Sequence, residues 1–405
     1  MKAVQFQFSF PRYGLGLALG NLMPSILWSG ASCTVMRDVP EPSLPGPEWA
    51  KIKTTLGGIC GTDLGNIYLK TSPYYSPFTS FPFTFGHENV GTIVELGSEG
   101  KGWKVGQRVV VDPLLGCEVR GFKDLCEFCA KGEINRCQRF IDGALGPGIM
   151  TGAAKATGGS WSSHFLAHRS QLVAVPENVS DENAMMVEPF CIGLHAVLID
   201  FPADDETILI IGAGTMGLVT LAALRALGSQ ARVLISARYE NQAAAAERLG
   251  ASEVLRGGDL YQQIAERTGA KLLKPTIGKL VMQGGVDRVY ECTGSDSSLD
   301  DANRVTRSGG KVVLVGIPGI AKGVDWTAIF DKELTVLGSR QFHNVEPYKG
   351  KKWRAFDLAL DLMAKGKVDL GWMVSRKYAL RDYKKALGDL AQKGSQGIIK
   401  AAFEF

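Results

Sequence analysis

Two textures of apolar patterning divide the chain. In the first, short strand-length runs are separated by turn residues: "WAKIKTTLGGIC" from Trp49 reads as a strand entering a glycine turn, and "TIVELG" and "RVVVDP" continue an irregular all-β region past Pro113. The second begins near Glu206, where "TILIIGAGTMGLVTLAALRALGSQARVLIS" runs as strand, glycine turn, helix, glycine stop and second strand. Leu218, Leu221, Ala222, Leu224 and Ala226 make that helix almost wholly apolar, and Gly228 stands where a C-terminal cap belongs. This is a buried βαβ unit. The runs "DRVYECTG", "GKVVLVGIPG" and "ELTVLGSR" are apolar and β-branched enough to be strands covered on both faces. Together they predict a doubly wound parallel sheet, after which "WRAFDLALDLMAKGKV" reads as a helix followed by returning strands.

One segment fits neither texture. Tyr13 to Val35 is uncharged and long enough to resemble a membrane span, yet Gly, Asn and Pro break it, and a strand-like "MKAVQFQF" precedes it where a secretory start would carry a basic region. A buried or interfacial insertion is expected there. The proline-rich "VPEPSLPGP" then bends the chain.

The 405 residues suffice for two or three domains, and the formal charge of +4 is small for that length. Acidic and basic residues are mixed, which gives a nucleic-acid role no support. Four of the eight cysteines fall between Gly116 and Cys137. A chain with this much core has no need of covalent staples, so a metal is a better explanation of the cluster than disulfides.

The turn "GAGTMG" lies between an apolar strand and an apolar helix, the context a dinucleotide fingerprint requires. Gly212 permits the tight turn, Gly214 lets the backbone approach a pyrophosphate, and Gly217 allows helix to pack closely on strand. Thr215 and Met216 open the helix whose N-terminus would face the phosphates. At the end of the second strand, where an acidic residue would bond the adenosine ribose, stand Ala237 and Arg238. A 2′-phosphate would meet a guanidinium and no repelling carboxylate, so NADP(H) is favoured over NAD(H), with Glu240 close by as a counterweight.

"GICGTD" at Gly58 to Asp63, "GHENVGTIVELG" from Gly86, the four-cysteine stretch, "VEPFCIGLHA" and "GAGTMG" occur in an order that resembles the zinc-dependent medium-chain alcohol dehydrogenases, on the polyol and threonine dehydrogenase side of that family. The resemblance covers most of the chain. It implies an α/β protein with a GroES-like β-rich catalytic domain over residues 1–187, a structural-zinc lobe at 116–138, a Rossmann cofactor domain over 188–340, and a C-terminal part, 341–405, that returns to the catalytic domain. The active site would lie in the cleft.

By the same resemblance Cys60 and His87 hold a catalytic Zn²⁺ with a carboxylate, for which Glu88 and Glu188 are both candidates, leaving one coordination position open for substrate. Thr62 matches the hydroxyl that bonds the substrate oxygen and starts a proton relay, and Asp63 the carboxylate that orients His87. Many relatives carry a histidine five positions after the cysteine ligand, where this chain has Gly65; none of His164, His168, His195 and His343 can be assigned to replace it. Cys117, Cys126, Cys129 and Cys137 would close a second, structural zinc site, although "EVRGFKDL" stretches the first interval and Gly121 must help that loop turn. Cys292, Thr293, Gly294 and Gly316 fall where the family backbone passes the nicotinamide side of the cofactor. Cys33 and Cys191 are expected as core thiols in a reducing cytoplasm.

The expected activity is hydride transfer between an alcohol or carbonyl substrate and NADP(H), in a cytoplasmic homodimer or homotetramer with two zinc ions per chain, no nucleic-acid partner and no membrane. The alternatives are a reductase of another C=X bond on the same scaffold and a non-catalytic nucleotide-binding protein. The insertion would serve as a lid or an oligomer contact, and Trp161 as a core residue or a pocket wall.

Overall fold

The computed structural model describes residues 1–405 and divides into two compact units, Met1–Glu188 with His343–Phe405, and Pro189–Phe342.

The first unit is built on Trp49–Gly58, a ten-residue strand with partners along its whole length. It pairs antiparallel with Asn89–Leu96 on one side, while His164–His168 and the closing strand Lys400–Glu404 share the other. Arg108–Val111 and Leu172–Ala174 extend the sheet beyond Asn89–Leu96, and Val374–Ala379 lies outside the closing strand. A second sheet places Lys2–Phe6 between Thr34–Asp38 and Phe83–Thr84. The expectation of an all-β region needs correction, because the glycine turn after Gly58 opens a short helix, Gly61–Ile67. Its seven residues include two glycines and carry no readable period. It forms because Asp63 Oδ2 accepts the Cys60 N–H at 2.9 Å, which satisfies a donor that a helix start leaves unpaired.

The uncharged N-terminal segment forms the helix Phe10–Leu19, a 3-10 turn at Pro24–Trp28, and the strand Thr34–Asp38. No helix of the chain is long and apolar enough to cross a membrane. Leu27, Trp28 and Cys33 join a core with Ile59, Ile67, Phe85, Leu387 and Phe403, while Phe10 and Leu22 remain 82% and 84% exposed. The insertion is thus anchored by its second half. Trp161 is a core residue: fully buried, it packs against Phe85 and Phe403 and donates its indole N–H to Gly58 O at 2.9 Å.

In the second unit a six-stranded parallel sheet runs in the order Glu253–Arg256, Arg232–Ala237, Thr207–Ile211, Val286–Glu291, Thr306–Leu314, Thr335–Gly338. By sequence this is 3-2-1-4-5-6, the doubly wound arrangement whose first strand lies at the topological switch point. The helix Thr215–Leu227 is capped by Gly228 in the left-handed region at φ 98°. Arg288, almost wholly buried, is paired with Asp200 at 2.7 Å and Glu206 at 2.8 Å, which ties the central strand to the chain ahead of Thr207. Thr335–Gly338 corrects a second expectation: it is an edge strand exposed at both ends, not one covered on both faces.

Candidate metal centres and nucleotide site

Three separate segments of the first unit meet around Cys60. The thiol stands at the start of Gly61–Ile67, His87 and Glu88 follow the left-handed Gly86, and Glu188 lies in the first turn of the helix Val187–Leu198. Gly86 has a specific reason to be glycine: a Cβ there would lie 2.4 Å from the Trp161 ring. Gly58 makes room in the same way, since its Cβ would lie 2.1 Å from Glu88 Oε2. Ligand atoms of Cys60, His87 and Glu88 lie within 4.8 Å of one another, and all but Cys60 are buried. Thr62 Oγ1 is 3.2 Å from His87 Nε2, and Asp63 Oδ1 faces His87 Nδ1 at 3.7 Å.

Sequence reasoning missed the fifth charged member. Lys400, on the closing strand, is 3% exposed and forms an ion pair with Glu88 Oε1. Its signal was a lone lysine inside the apolar run "GIIKAAF", which a buried strand tolerates only opposite an acid.

The electrostatics suit a divalent cation. Burial pushes the Cys60 thiol up to about 12, with the charge of Glu88 adding to it. Burial likewise pushes Glu188 up to about 8, and raises Asp63. His87 is held up despite its burial, by Asp63, Glu188 and Glu88 in that order. His87 Nδ1, Glu88 Oε2 and Glu188 Oε2 are buried without a hydrogen-bond partner. A thiol, an imidazole and carboxylates with spare lone pairs, in a site short of positive charge, are a donor set for Zn²⁺.

Cys117, Cys126, Cys129 and Cys137 also converge, their sulfurs all within 4.8 Å. The first interval is stretched, and the structure shows how the extra residues are held: Gly121 turns at φ 80°, and the buried Arg120 donates to the carbonyls of Leu115, Asp142, Gly146 and Gly148. The thiols share protons unequally. Their mutual hydrogen bond holds the Cys129 thiol up and pushes Cys137 down to about 5, as expected of sulfurs packed closely enough for one ion.

In the second unit the fingerprint turn has the shape its glycines require. Gly212 adopts φ 98°, a Cβ on Gly217 would lie 1.9 Å from Gly212 O, and a Cβ on Gly214 would meet open space, which leaves its backbone approachable. Thr215 begins the helix, and Met216 O accepts from Thr220 Oγ1 at 2.8 Å. Ala237 ends its strand almost buried and Arg238 is exposed. Cys292 and Thr293 follow the strand Val286–Glu291 and both bond back to Ile211 O. Gly294 and Gly316 pass so closely that a Cβ on Gly316 would lie 2.5 Å from Gly294 N. His164 and His168 are in the first unit but outside its metal centre, bonded to Ser163 and Ser170.

A doubly wound sheet with a dinucleotide turn and a buried thiol, imidazole and carboxylate centre in one chain define a metal-dependent dehydrogenase. Residues 46–177 match the alcohol dehydrogenase GroES-like domain, and residues 215–364 match the zinc-binding dehydrogenase family. L-idonate 5-dehydrogenase of Vitis vinifera is 29% identical over 364 residues, covering 89% of each chain. L-threonine 3-dehydrogenase of Legionella pneumophila (strain Corby) is 30% identical over 303 residues, 75% of this chain and 80% of that protein. Among solved structures, a zinc-binding dehydrogenase from Sinorhizobium meliloti 1021 bound to NADP superimposes with a TM-score of 0.73 at 25% identity, covering 100% of this chain and 99% of that one. The chain belongs to the zinc-dependent medium-chain alcohol dehydrogenase family, on its polyol and threonine dehydrogenase side.

Proposed function

We propose that this dehydrogenase interconverts a secondary or polyol-type alcohol and its carbonyl with NADP(H), using one catalytic and one structural zinc per chain. The observation that carries the reading is the buried centre of Cys60, His87 and Glu88 with the Thr62 hydroxyl at the His87 ring nitrogen. The sorbitol, idonate and threonine dehydrogenases among its relatives support the substrate class.

Cys60, His87 and one carboxylate would hold the catalytic ion. Glu88 is the carboxylate whose ligand atom converges with Cys60 and His87, and its Oε2 is free of the Lys400 pair; Glu188 also keeps an unpartnered Oε2 and is the second candidate. When bound, zinc lowers the pKa of a substrate hydroxyl and polarises a carbonyl. Asp63 orients the His87 ring, and Thr62 accepts the hydrogen bond of the substrate hydroxyl and relays its proton, passing its own hydroxyl proton on as it takes the substrate's. At Gly65 no imidazole can carry that proton on. The space that such a side chain would take borders Thr71 Oγ1, 3.3 Å from where a Cβ would stand, and we assign the onward step to water there.

The four clustered cysteines would bind the structural ion. NADP(H) is supported by Ala237 and the exposed Arg238, and by the NADP in the Sinorhizobium relative. A homodimer or homotetramer is supported by the exposed Ile317, Ile320, Trp326 and Phe330, all in the connection leading into the edge strand Thr335–Gly338. We place the enzyme in the cytoplasm, where core thiols outside any disulfide, such as Cys33 and Cys191, persist.

The test is a screen of polyols, hydroxy acids and short, branched and aromatic alcohols for NADP⁺ and NAD⁺ reduction, with the carbonyls run in reverse. A clear preference names the substrate class. Silence across the panel from a protein that binds NADPH would replace this reading with another C=X reduction or a nucleotide-binding role.

A further inference from the structure

We propose that Arg256 is a second anchor for a 2′-phosphate, withheld by Glu240 until that phosphate arrives. The inference rests on the NADP(H) reading above and extends it to a residue on the neighbouring strand. In the parallel register of the sheet Arg256 is the partner of Ala237, so two strand ends that are far apart in sequence lie side by side, about 4.8 Å apart. Gly257 and Gly258, both left-handed, turn the chain away immediately afterwards, and Gln263 Nε2 donates to Gly257 O at 2.5 Å. Arg256 is therefore placed by the sheet, not by a wandering loop. The next acid along, Asp259, is engaged at the start of the following helix, where it accepts from Tyr261 N at 2.8 Å.

The guanidinium is occupied by carboxylates that stand where an anion would. Nη1 donates to both oxygens of Glu240, at 2.9 and 2.8 Å, and Nη2 to Glu247 at 2.7 Å. Glu240 is the first residue of the helix Glu240–Arg248, three positions after Ala237, and its side chain is 79% exposed. An ion pair this open contributes little to stability and can be exchanged. A phosphate monoester carries more negative charge than one carboxylate and can engage Nη1 and Nη2 together, whereas Glu240 meets Nη1 alone. At the ribose end of the site Arg238 and Arg256 balance Glu240 and Glu247. A 2′-phosphate would take over Arg256, whereas a 2′-hydroxyl gives no reason for Glu240 to let go. Arg256 thus supplies attraction specific to the phosphorylated cofactor, and Glu240 subtracts from it.

The experiment titrates the full-length protein with 2′,5′-ADP, 5′-AMP, NADPH and NADH. Arg256→Ala is expected to weaken 2′,5′-ADP and NADPH about tenfold and to leave 5′-AMP and NADH within about twofold. Arg256→Lys should restore only part of the loss, because an ammonium cannot bind bidentately. Glu240→Gln should tighten 2′,5′-ADP about threefold. Equal losses for both fragments, or no loss, would overturn the proposal. If Arg238→Ala abolishes the preference for 2′,5′-ADP while Arg256→Ala keeps it, the NADP(H) reading stands and Arg256 falls. If the unaltered protein binds 5′-AMP as tightly as 2′,5′-ADP, both fall.

Discussion

Replacing Lys400 by methionine tests the electrostatic account of the metal centre most directly. The ion pair with Glu88 is sealed on both sides, with side-chain exposures of 3% and 1%. Burial alone would lower the lysine pKa, yet the charges of Glu88 and Cys60 hold it up, so the ammonium is the positive charge against which the cluster is built. Met fills much of the same volume without the charge. What remains is a carboxylate beside Cys60, Asp63 and Glu188, with one oxygen that already lacked a hydrogen bond. Removing one partner of a buried pair costs about 3–5 kcal/mol. The metal-stripped Lys400→Met protein should lose that much stability, and Glu88→Gln a similar amount, because it strands the ammonium. The double variant removes both charges and should come within about 2 kcal/mol of the parent, a strong favourable coupling. Urea unfolding followed on the transition of the first unit reads this, since Lys400–Glu404 pairs with Trp49–Gly58 and Val374–Ala379 of that unit. Additive losses in the double variant, or a single loss below about 1 kcal/mol, would refute the argument.

Four further outcomes are expected. Gly217→Ala puts a Cβ 1.9 Å from a backbone carbonyl, so the turn must shift; NADPH titration should show at least about a tenfold loss of affinity, and unchanged binding would remove the fingerprint assignment. Cys126→Ser should reduce bound zinc from two ions per chain to one by elemental analysis, whereas a parent holding one ion that survives the substitution has no structural site. Asp112 is buried and lifted to about 6 from 3.8, so the folded state binds its proton more tightly and stability falls as pH rises from about 4 to 6, by about 3 kcal/mol. Asp112→Asn should then raise the melting temperature at pH 7.5 and not below pH 4; an equal effect at both would sink the assignment. Gly65→His should raise turnover most at low pH if proton exit limits the reaction, and a flat response in the pH profile would show that it does not.

The parts of this chain that could be read in advance are those whose physics is local. Strand, glycine turn and helix around Gly212 to Gly228 follow from a few residues that must adopt left-handed backbone or sit without a Cβ, and the structure has them there. The family order of Cys60, His87 and the four-cysteine stretch was equally plain. Gly61–Ile67 was missed because seven residues with two glycines show no period. Its real signal was the three-residue spacing of Cys60 and Asp63, which also fits a capping box. Thr335–Gly338 was read as covered because composition reports apolar content, while being at an edge depends on how many strands the sheet gains.

By itself, then, the sequence determined the dinucleotide turn, the candidate ligand types and the two textures of fold, since each is written within a span of a few residues. Only the tertiary structure decided that Lys400 meets Glu88 across 312 positions, that Arg256 lies beside Ala237, and that the stretched cysteine interval still closes. Such contacts depend on which strands pair and in what register. That choice is made by the packing of the whole unit, so no local pattern announces it.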